Sequence, residues 1–289
     1  MQQPAIVFLL YLMSKNLFII KQNCMQVQVR KTILKEVRKI GVMLSLEKAK
    51  EMIEAWQNQE PEAVKSFLYG RKIFEQLLQV PGCVGIRVFN GIDNNRQQAL
   101  VFVPVSERNQ NILNYSINTT DGMVVVEAPV ADGGLKCPTY CPAPATDIES
   151  PTWETYIVDQ QNGITRKIAD LGELISRKKA MEMVEKWQSE EPEGIKSILY
   201  GREIFDQLLA VPGCEGIRVF NAYDDNATHT FVFVAVDGRN NNIREFKRLS
   251  DGETIKAPIA DGGLKCPSYC PNPDSPTPVP GWEDYIINE

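Results

Sequence analysis

An internal repeat in the 289-residue chain is the feature that most restricts its fold. The segments 56–90 and 187–221 are identical at 26 of 35 positions, with a constant offset of 131 residues. A repeat unit of this length is too long for a solenoid, whose repeats are about 20–50 residues. The sequence therefore predicts two domains of the same fold, one after the other.

The best-matched segment of the repeat is rich in glycine, proline and cysteine. Ala128–Pro142 (APVADGGLKCPTYCP) and Ala257–Pro271 (APIADGGLKCPSYCP) are identical at 13 of 15 positions. The Gly-Gly pair and the prolines predict a shaped loop, not a helix or a strand. The offset falls to 129 residues between Asn109 and Asp132, and a two-residue deletion there indicates a surface loop.

The repeat divides the chain into four parts. We expect a basic and apolar tail over 1–42, a first repeat over 43–158, a linker over 159–174 and a second repeat over 175–289. Met43 directly precedes the repeat, which favours a native start there and a disordered or non-native tail. A cytoplasmic protein follows from that start, whereas a signal function of the tail would make the protein exported.

The helices of each repeat are predicted from apolar spacing and prolines. Ser45 and Ser176 are in position to act as N-caps of an amphipathic helix that ends before Glu60-Pro61 in the first repeat. A second helix is expected to begin at Pro61, and Gly70 either lets another element approach closely or splits this helix.

Strands are predicted after the helices. Residues 85–90 and 99–105 have strand patterns around a turn at 93–95, and 123–126 is a third candidate. The sequence thus predicts an α+β fold, a tandem duplication of a domain in which two N-terminal helices pack on a small antiparallel sheet. A Cys-Pro loop and a Pro-rich arm follow in each copy.

Charge and hydropathy restrict the partners. Residues 1–42 carry seven Lys or Arg and one Glu, so the rest of the chain has a net charge of −12 within the total of −6. An acidic body argues against nucleic acid, because binding phosphates requires Lys and Arg. No apolar run reaches the roughly 18–20 residues of a membrane-spanning helix, so we expect no transmembrane segment. The partner is expected to be another protein or a small ligand.

The chain has seven cysteines, and four of them form two equivalent pairs. Cys137/Cys141 and Cys266/Cys270 are each four residues apart. One pair supplies only two of the four ligands of a structural zinc, so a zinc site would need both pairs. Local disulfides, a redox-active dithiol and reduced thiols in a rigid turn are the alternatives. The sequence does not establish a cofactor, and zinc is the only candidate. Cys83 and Cys214 are expected to be small buried core residues.

Polar residues shared by both copies are the candidate binding residues. They are Asp132, Lys136, Tyr140 and Arg87 in the first copy and Asp261, Lys265, Tyr269 and Arg218 in the second. An arginine within a strand is ordinarily on a solvated face, but on a concave face it binds a carboxylate through two hydrogen bonds. The aspartates before Gly-Gly are typical of turns.

Catalysis is not indicated by the sequence. The one histidine, His229, has Gln98 as its counterpart in the first copy, so only one copy has a base for Cys–His chemistry. A solvated strand histidine is the favoured interpretation, and no catalytic residue is predicted.

The combination of GCVGIRVFN with CPTYCP, and of GCEGIRVFN with CPSYCP, resembles a group of bacterial hypothetical proteins that share a GIR strand and a terminal Cys-Pro loop. The resemblance implies a bacterial origin and assigns no activity to any residue. We therefore expect a binding or interaction protein that is bivalent through its two Cys-Pro loops. The alternative is a redox-active or zinc-binding protein that uses the paired cysteines.

Overall fold

A computed structural model describes residues 37–120, 122–137, 167–248 and 250–266. The first copy contains β1 (Val42–Met43), α1 (Leu46–Gln59), β2 (Ser66–Gly70), α2 (Arg71–Leu78), β3 (Cys83–Ile92), β4 (Gln98–Ser106), β5 (Asn114–Thr119), β6 (Gly122–Glu127), β7 (Val130–Asp132) and β8 (Leu135–Cys137). The second copy contains β9 (Glu173–Ile175), α3 (Arg177–Glu190), β10 (Ser197–Gly201), α4 (Arg202–Leu209), β11 (Cys214–Tyr223), β12 (His229–Asp237), β13 (Glu245–Lys247), β14 (Thr254–Lys256), β15 (Ile259–Asp261) and β16 (Leu264–Cys266). A short 3-10 turn precedes the first strand of each copy, at Val37–Lys39 and Ile168–Asp170.

Two antiparallel six-stranded sheets form the body of the molecule, and each contains strands of both copies. The first sheet has the order β1-β15-β12-β11-β2-β8, and the second has the order β16-β10-β3-β4-β7-β9. In the first sheet, β2 pairs with β11 of the other copy, so that Leu68 lies opposite Arg218. In the second sheet, β10 pairs with β3 in the same way, so that Ile198 lies opposite Val88.

The predicted fold class is wrong. The protein is mostly β-sheet, and it does not consist of repeated domains with two N-terminal helices on a small sheet. The physical reason is that β2 and β10 leave their own copy and complete the sheet of the other. Pairings of this kind join residues far apart in the chain, and no local pattern of residues encodes them.

The core lies between the two sheets and under two of the helices. Phe74 of α2 and Phe205 of α4 stack with ring centroids 5.6 Å apart, and both are fully buried. They belong to one cluster with inward-facing strand residues of both sheets, such as Val88 and Val219. One continuous core therefore joins the two copies.

The other two helices cover the outer faces of the sheets. Ile53 of α1 packs with Phe220 and Val232 of the first sheet. Val184 of α3 packs with Phe89 of the second sheet in the equivalent arrangement. Both helices begin as predicted, because the hydroxyl oxygens of Ser45 and Ser176 accept hydrogen bonds from backbone N–H groups.

The predicted second helix is wrong in its first half. Ser66–Gly70 is a buried strand, and the helix begins only at Arg71. A short apolar run fits either a strand or a buried helix, and its spacing alone does not distinguish them. Gly70 ends the strand at this point as the N-cap of α2.

The repeat-specific loops also differ in part from their prediction. The Gly-Gly segment is flanked by two short strands, Val130–Asp132 and Leu135–Cys137, where a loop alone was expected. The two-residue deletion does lie in an exposed hairpin. The strands of that hairpin are Asn114–Thr119 and Gly122–Glu127 in the first copy, and they are shorter in the second.

Residues 37–42, directly upstream of Met43, belong to the fold. Val37 is buried, and Ile40 accepts a backbone hydrogen bond from Gly201. Val42 pairs with Asp261 in the first sheet.

Within the part of the chain that the structure describes, no helix combines the length and the apolar character needed to cross a bilayer.

Candidate functional site

A cavity of about 530 Å³ opens where equivalent segments of the two copies meet, at the C-terminal ends of α1 and α3. Equivalent residues of both copies line it: Trp56 and Trp187, Glu60 and Glu191, Ala63 and Gly194, Val64 and Ile195, Gln98 and His229. The residues Glu62, Arg96, Gln97, Lys136 and Tyr223 complete the lining without their counterparts. The cavity is therefore built by the two copies together.

The helix ends that form the cavity walls are fixed by lysine side chains. Helix α1 stops at Gln59 because Glu60 precedes a proline. Lys65 Nζ then donates to the carbonyl oxygens of Glu60 and Pro61, both at 2.6 Å. Lys196 Nζ makes the same two contacts at the end of α3. Burial lowers the pKa of both lysines. The carbonyl oxygens at the helix ends nevertheless accept hydrogen bonds from the ammonium groups, an arrangement that favours a cation at the C-terminal end of a helix.

A network of side-chain amides joins the two sheets beside the cavity. Gln98 Nε2 donates to Asn90 Oδ1 at 2.9 Å and to Asn221 Oδ1 at 3.3 Å. Asn221 Nδ2 donates to Gln98 Oε1 and to the Val64 carbonyl oxygen, both at 2.7 Å. Asn90 Nδ2 donates to the Ile195 carbonyl oxygen at 3.0 Å. The two asparagines are equivalent and fully buried, so the network closes the junction between the copies.

This network fixes the protonation of His229. The Val64 carbonyl oxygen can only accept a hydrogen bond, so the side-chain atom of Asn221 that faces it must be the donor Nδ2. The Oδ1 of Asn221 therefore faces His229 Nε2 at 2.8 Å, and Nε2 carries the proton. The Nδ1 atom of the ring is then a hydrogen-bond acceptor. Burial lowers the pKa of His229 to about 3, so the ring is neutral at pH 7.

Three aromatic rings pack against one another in tilted arrangements at one side of the cavity. The Trp56 ring lies 4.6 Å from that of His229 and 5.0 Å from that of Tyr223, centroid to centroid. Tyr223 OH donates to Glu60 Oε1 at 3.3 Å. Trp187 instead donates its Nε1–H to the Ile195 carbonyl oxygen. The half-buried histidine differs from the solvated one that we expected.

The predicted lysines form two ion pairs that connect the sheets. Lys136 on β8 pairs with Asp93, and Lys265 on β16 pairs with Asp224 at 2.5 Å. Burial opposes ionisation of Asp93, but the Lys136 ammonium and backbone N–H groups lower its pKa overall. Each pair joins an edge strand of one sheet to the end of a long strand in the other. Only Lys136 lines the cavity.

The predicted aspartates are buried behind the Gly-Gly turns. Asp132 Oδ1 accepts from Tyr69 OH at 3.4 Å, and Asp261 Oδ1 accepts from Tyr200 OH at 3.3 Å and from Thr230 Oγ1 at 2.5 Å. Desolvation raises the pKa of both aspartates. Neither lines the cavity.

The predicted arginines are buried and lie away from the cavity. Arg87 and Arg218 are each 2% exposed, whereas a solvated face was the ordinary expectation. Arg87 Nη1 donates to Asn111 Oδ1 at 2.5 Å, and Arg218 Nη1 donates to Asn242 Oδ1 at 2.6 Å. Arg87 lies in the second sheet and Lys136 in the first, so the structure does not bring them together in one anion pocket.

The described cysteines are all buried. Cys137 and Cys266 each take part in a disulfide bond, whereas Cys83 and Cys214 are free. Burial raises the pKa of the two free thiols, in agreement with the predicted core role. Cys141, Cys270, Tyr140 and Tyr269 lie outside the described residues. Among residues 37–137 and 167–266, as far as they are described, no three His, Cys, Asp or Glu side chains form a group suited to a metal ion.

Sequence reasoning missed most of the cavity. It gave Glu60 only a role at the boundary of the first helix. The identity of the Trp and Glu-Pro positions in both copies was the available signal. Their convergence at one place depends on the exchange of β2 and β10 between the sheets.

No family model, curated protein or solved structure matches the chain. The fold and the site thus define only a class: a two-sheet β-rich protein with outer helices and a cavity lined by equivalent segments of its two copies.

Proposed function

We propose that the protein binds one small organic molecule in the cavity between the two copies. The observation that carries this proposal is the lining itself, in which Trp56, Trp187 and Tyr223 surround a concave space of about 530 Å³ together with polar groups. Concave sites with aromatic walls and a few polar groups are typical of small-molecule binding. A ligand site shared by the two copies is an alternative to bivalent binding through two separate loops.

The cavity walls support binding with little rearrangement. Asn90 and Asn221 hold the two sheets together, and the lysines at the helix ends hold the two wall segments. A site built on fixed elements loses less conformational entropy when a ligand binds.

The test is saturation-transfer NMR with benzyl alcohol and benzylamine, which have the same ring with and without a charge. We expect both to receive saturation from the protein. Trp187→Ala should weaken binding of both at least about tenfold, because a ring contact is lost. Met123→Ala, at an exposed hairpin position, is the matched control and should leave binding unchanged.

Circular dichroism of each variant separates a lost contact from a lost fold. Trp56→Phe keeps an aromatic ring in the stack with His229 and serves as a second variant. No transfer to either probe, or equal transfer in the wild type and in folded Trp187→Ala, would reject the proposal.

A further inference from the structure

We infer that the ligand of this cavity is an α,ω-diamine or a similar organic dication, with one positive charge at each end and an apolar middle. This inference rests on the proposed function and adds the chemical class of the ligand. It follows from the pseudo-symmetry of the cavity and from the polar groups that face it.

A carboxylate stands at each of two equivalent positions of the cavity. Glu60 follows α1, and Glu191 follows α3, each as the C-cap residue of its helix. Both line the cavity, and each lies four residues after a lining tryptophan. The C-terminal end of a helix carries a partial negative charge, so the cavity has a helix end and a carboxylate on both sides. Two like anionic positions fit a ligand with two cationic ends.

The other cations near the cavity already have partners. Lys136 pairs with Asp93, and Arg96 lies 3.5 Å from Glu190. Lys65 and Lys196 donate to backbone carbonyl oxygens. The ammonium groups of Lys65 and Lys196 also attract the carboxylates of Glu60 and Glu191 respectively, so their charges offset part of the negative potential at each position. All four of these cationic side chains are therefore already engaged, and none of them is left unpaired for an anionic ligand.

Carboxylates and His229 supply acceptors to the cavity, whereas the lining cations Arg96 and Lys136 are engaged in ion pairs with Glu190 and Asp93. Glu60, Glu191 and Glu62 present carboxylate oxygens, and neutral His229 has an acceptor at Nδ1. Both Nε2 hydrogens of Gln98 are used in the amide network. The indole N–H of Trp56 is buried without a partner and is not exposed to the cavity space. Ammonium groups supply the donors that such a lining requires.

Apolar side chains line the cavity between the two helix ends that carry Glu60 and Glu191. Val64 and Ile195 are equivalent lining residues, and Trp56 and Trp187 are equivalent rings. A methylene chain buries apolar area against them, and tryptophan also attracts a nearby ammonium through its ring face.

The experiment is isothermal titration of the full chain with 1,3-diaminopropane, 1,4-diaminobutane and 1,6-diaminohexane at pH 7.5 and low salt. The controls are 1-aminobutane and 1,4-butanediol, which lack one or both charges. We expect one diamine to bind with 1:1 stoichiometry and at least about fivefold more tightly than 1-aminobutane, because the second ammonium meets a second carboxylate.

Variants locate the two ends of the diamine. Glu60→Gln and Glu191→Gln should each reduce the diamine affinity to about that of the monoamine. Glu54→Gln and Glu185→Gln lie on the same two helices outside the cavity lining and should change nothing.

The outcomes separate this inference from the proposed function. If benzyl alcohol or benzylamine binds but no diamine exceeds 1-aminobutane, the cavity is a ligand site and the dication assignment is wrong. Equal losses in Glu54→Gln and Glu60→Gln would also overturn the assignment, because they would show a general charge effect. If no probe of either experiment binds, both proposals fall.

Discussion

At the scale of single residues, the main difference between the two halves of the cavity is His229 against Gln98. Gln98 bridges the two buried asparagines, whereas His229 forms a hydrogen bond with Asn221 and packs its ring against Trp56. The sequence showed this difference, but it gave no sign that the two positions share one network. The sequence likewise showed buried polar residues such as Arg87 but not what they contact, because their partners lie in loops more than 20 residues away.

The histidine makes the stability depend on pH. Its folded pKa of about 3 is below the unfolded value of about 6.5, so its contribution is complete above pH 6.5 and is lost as the pH falls toward 3. At pH 5 this loss amounts to at most about 2 kcal/mol, because pH 5 lies only about 1.5 units below the unfolded pKa.

His229→Gln installs the residue of the other copy and removes the only histidine of the chain. Urea unfolding at pH 7.5 and pH 5 should therefore show a smaller loss of stability on acidification in the variant than in the wild type. Parallel pH profiles of the two proteins would show that the ring is not buried as a neutral group.

At the scale of elements, long segments with a clear pattern were predicted, and so was the strand at 123–126, which lies within β6, whereas most other short strands were not. Helix α1 ends at the predicted proline, and β3 and β4 contain the predicted strands. Ser66–Gly70 was predicted to be helical. Its pairing partner, β11, begins at Cys214 in the other copy, so no neighbouring residues indicated that this segment pairs as a strand. Gly70 carried the better signal, since one of its two predicted roles was a close approach of another element.

That close approach is the reason for glycine at this position. A Cβ on Gly70 would lie 2.3 Å from the Ala169 carbonyl oxygen, although the φ of −72° suits any residue. Gly82 is the opposite case, since it has open space around it and a φ of +79°.

We expect Gly70→Ala to lower the free energy of unfolding by about 3 kcal/mol, because backbone atoms cannot move aside as a flexible side chain does. Gly82→Ala should cost only about 1 kcal/mol of backbone strain. Urea denaturation of the two variants measures both values. Equal costs would mean that the 3-10 turn Ile168–Asp170 does not pack against β2.

At the scale of the whole molecule, the sequence predicted that the two halves have equivalent elements but not how those elements combine. Residues 56–90 and 187–221 fold alike, with a helix, a strand, a second helix and a long strand. Side-by-side domains would contain the same local structures as the observed interwoven sheets. The partners of β1, β2, β9 and β10 distinguish the two arrangements, because these four strands pair with strands of the other copy that lie far away in the chain. The cavity shared by the two copies follows from the interwoven arrangement.

A cut between the two copies tests this arrangement most directly. A protease site inserted between Glu149 and Ser150 allows the folded protein to be cleaved after purification, and the products can be followed by size-exclusion chromatography with light scattering. The interwoven sheets predict that the two fragments stay together as a 1:1 complex and unfold in a single transition. Two fragments that separate as folded monomers would contradict the shared sheets and, with them, the single cavity.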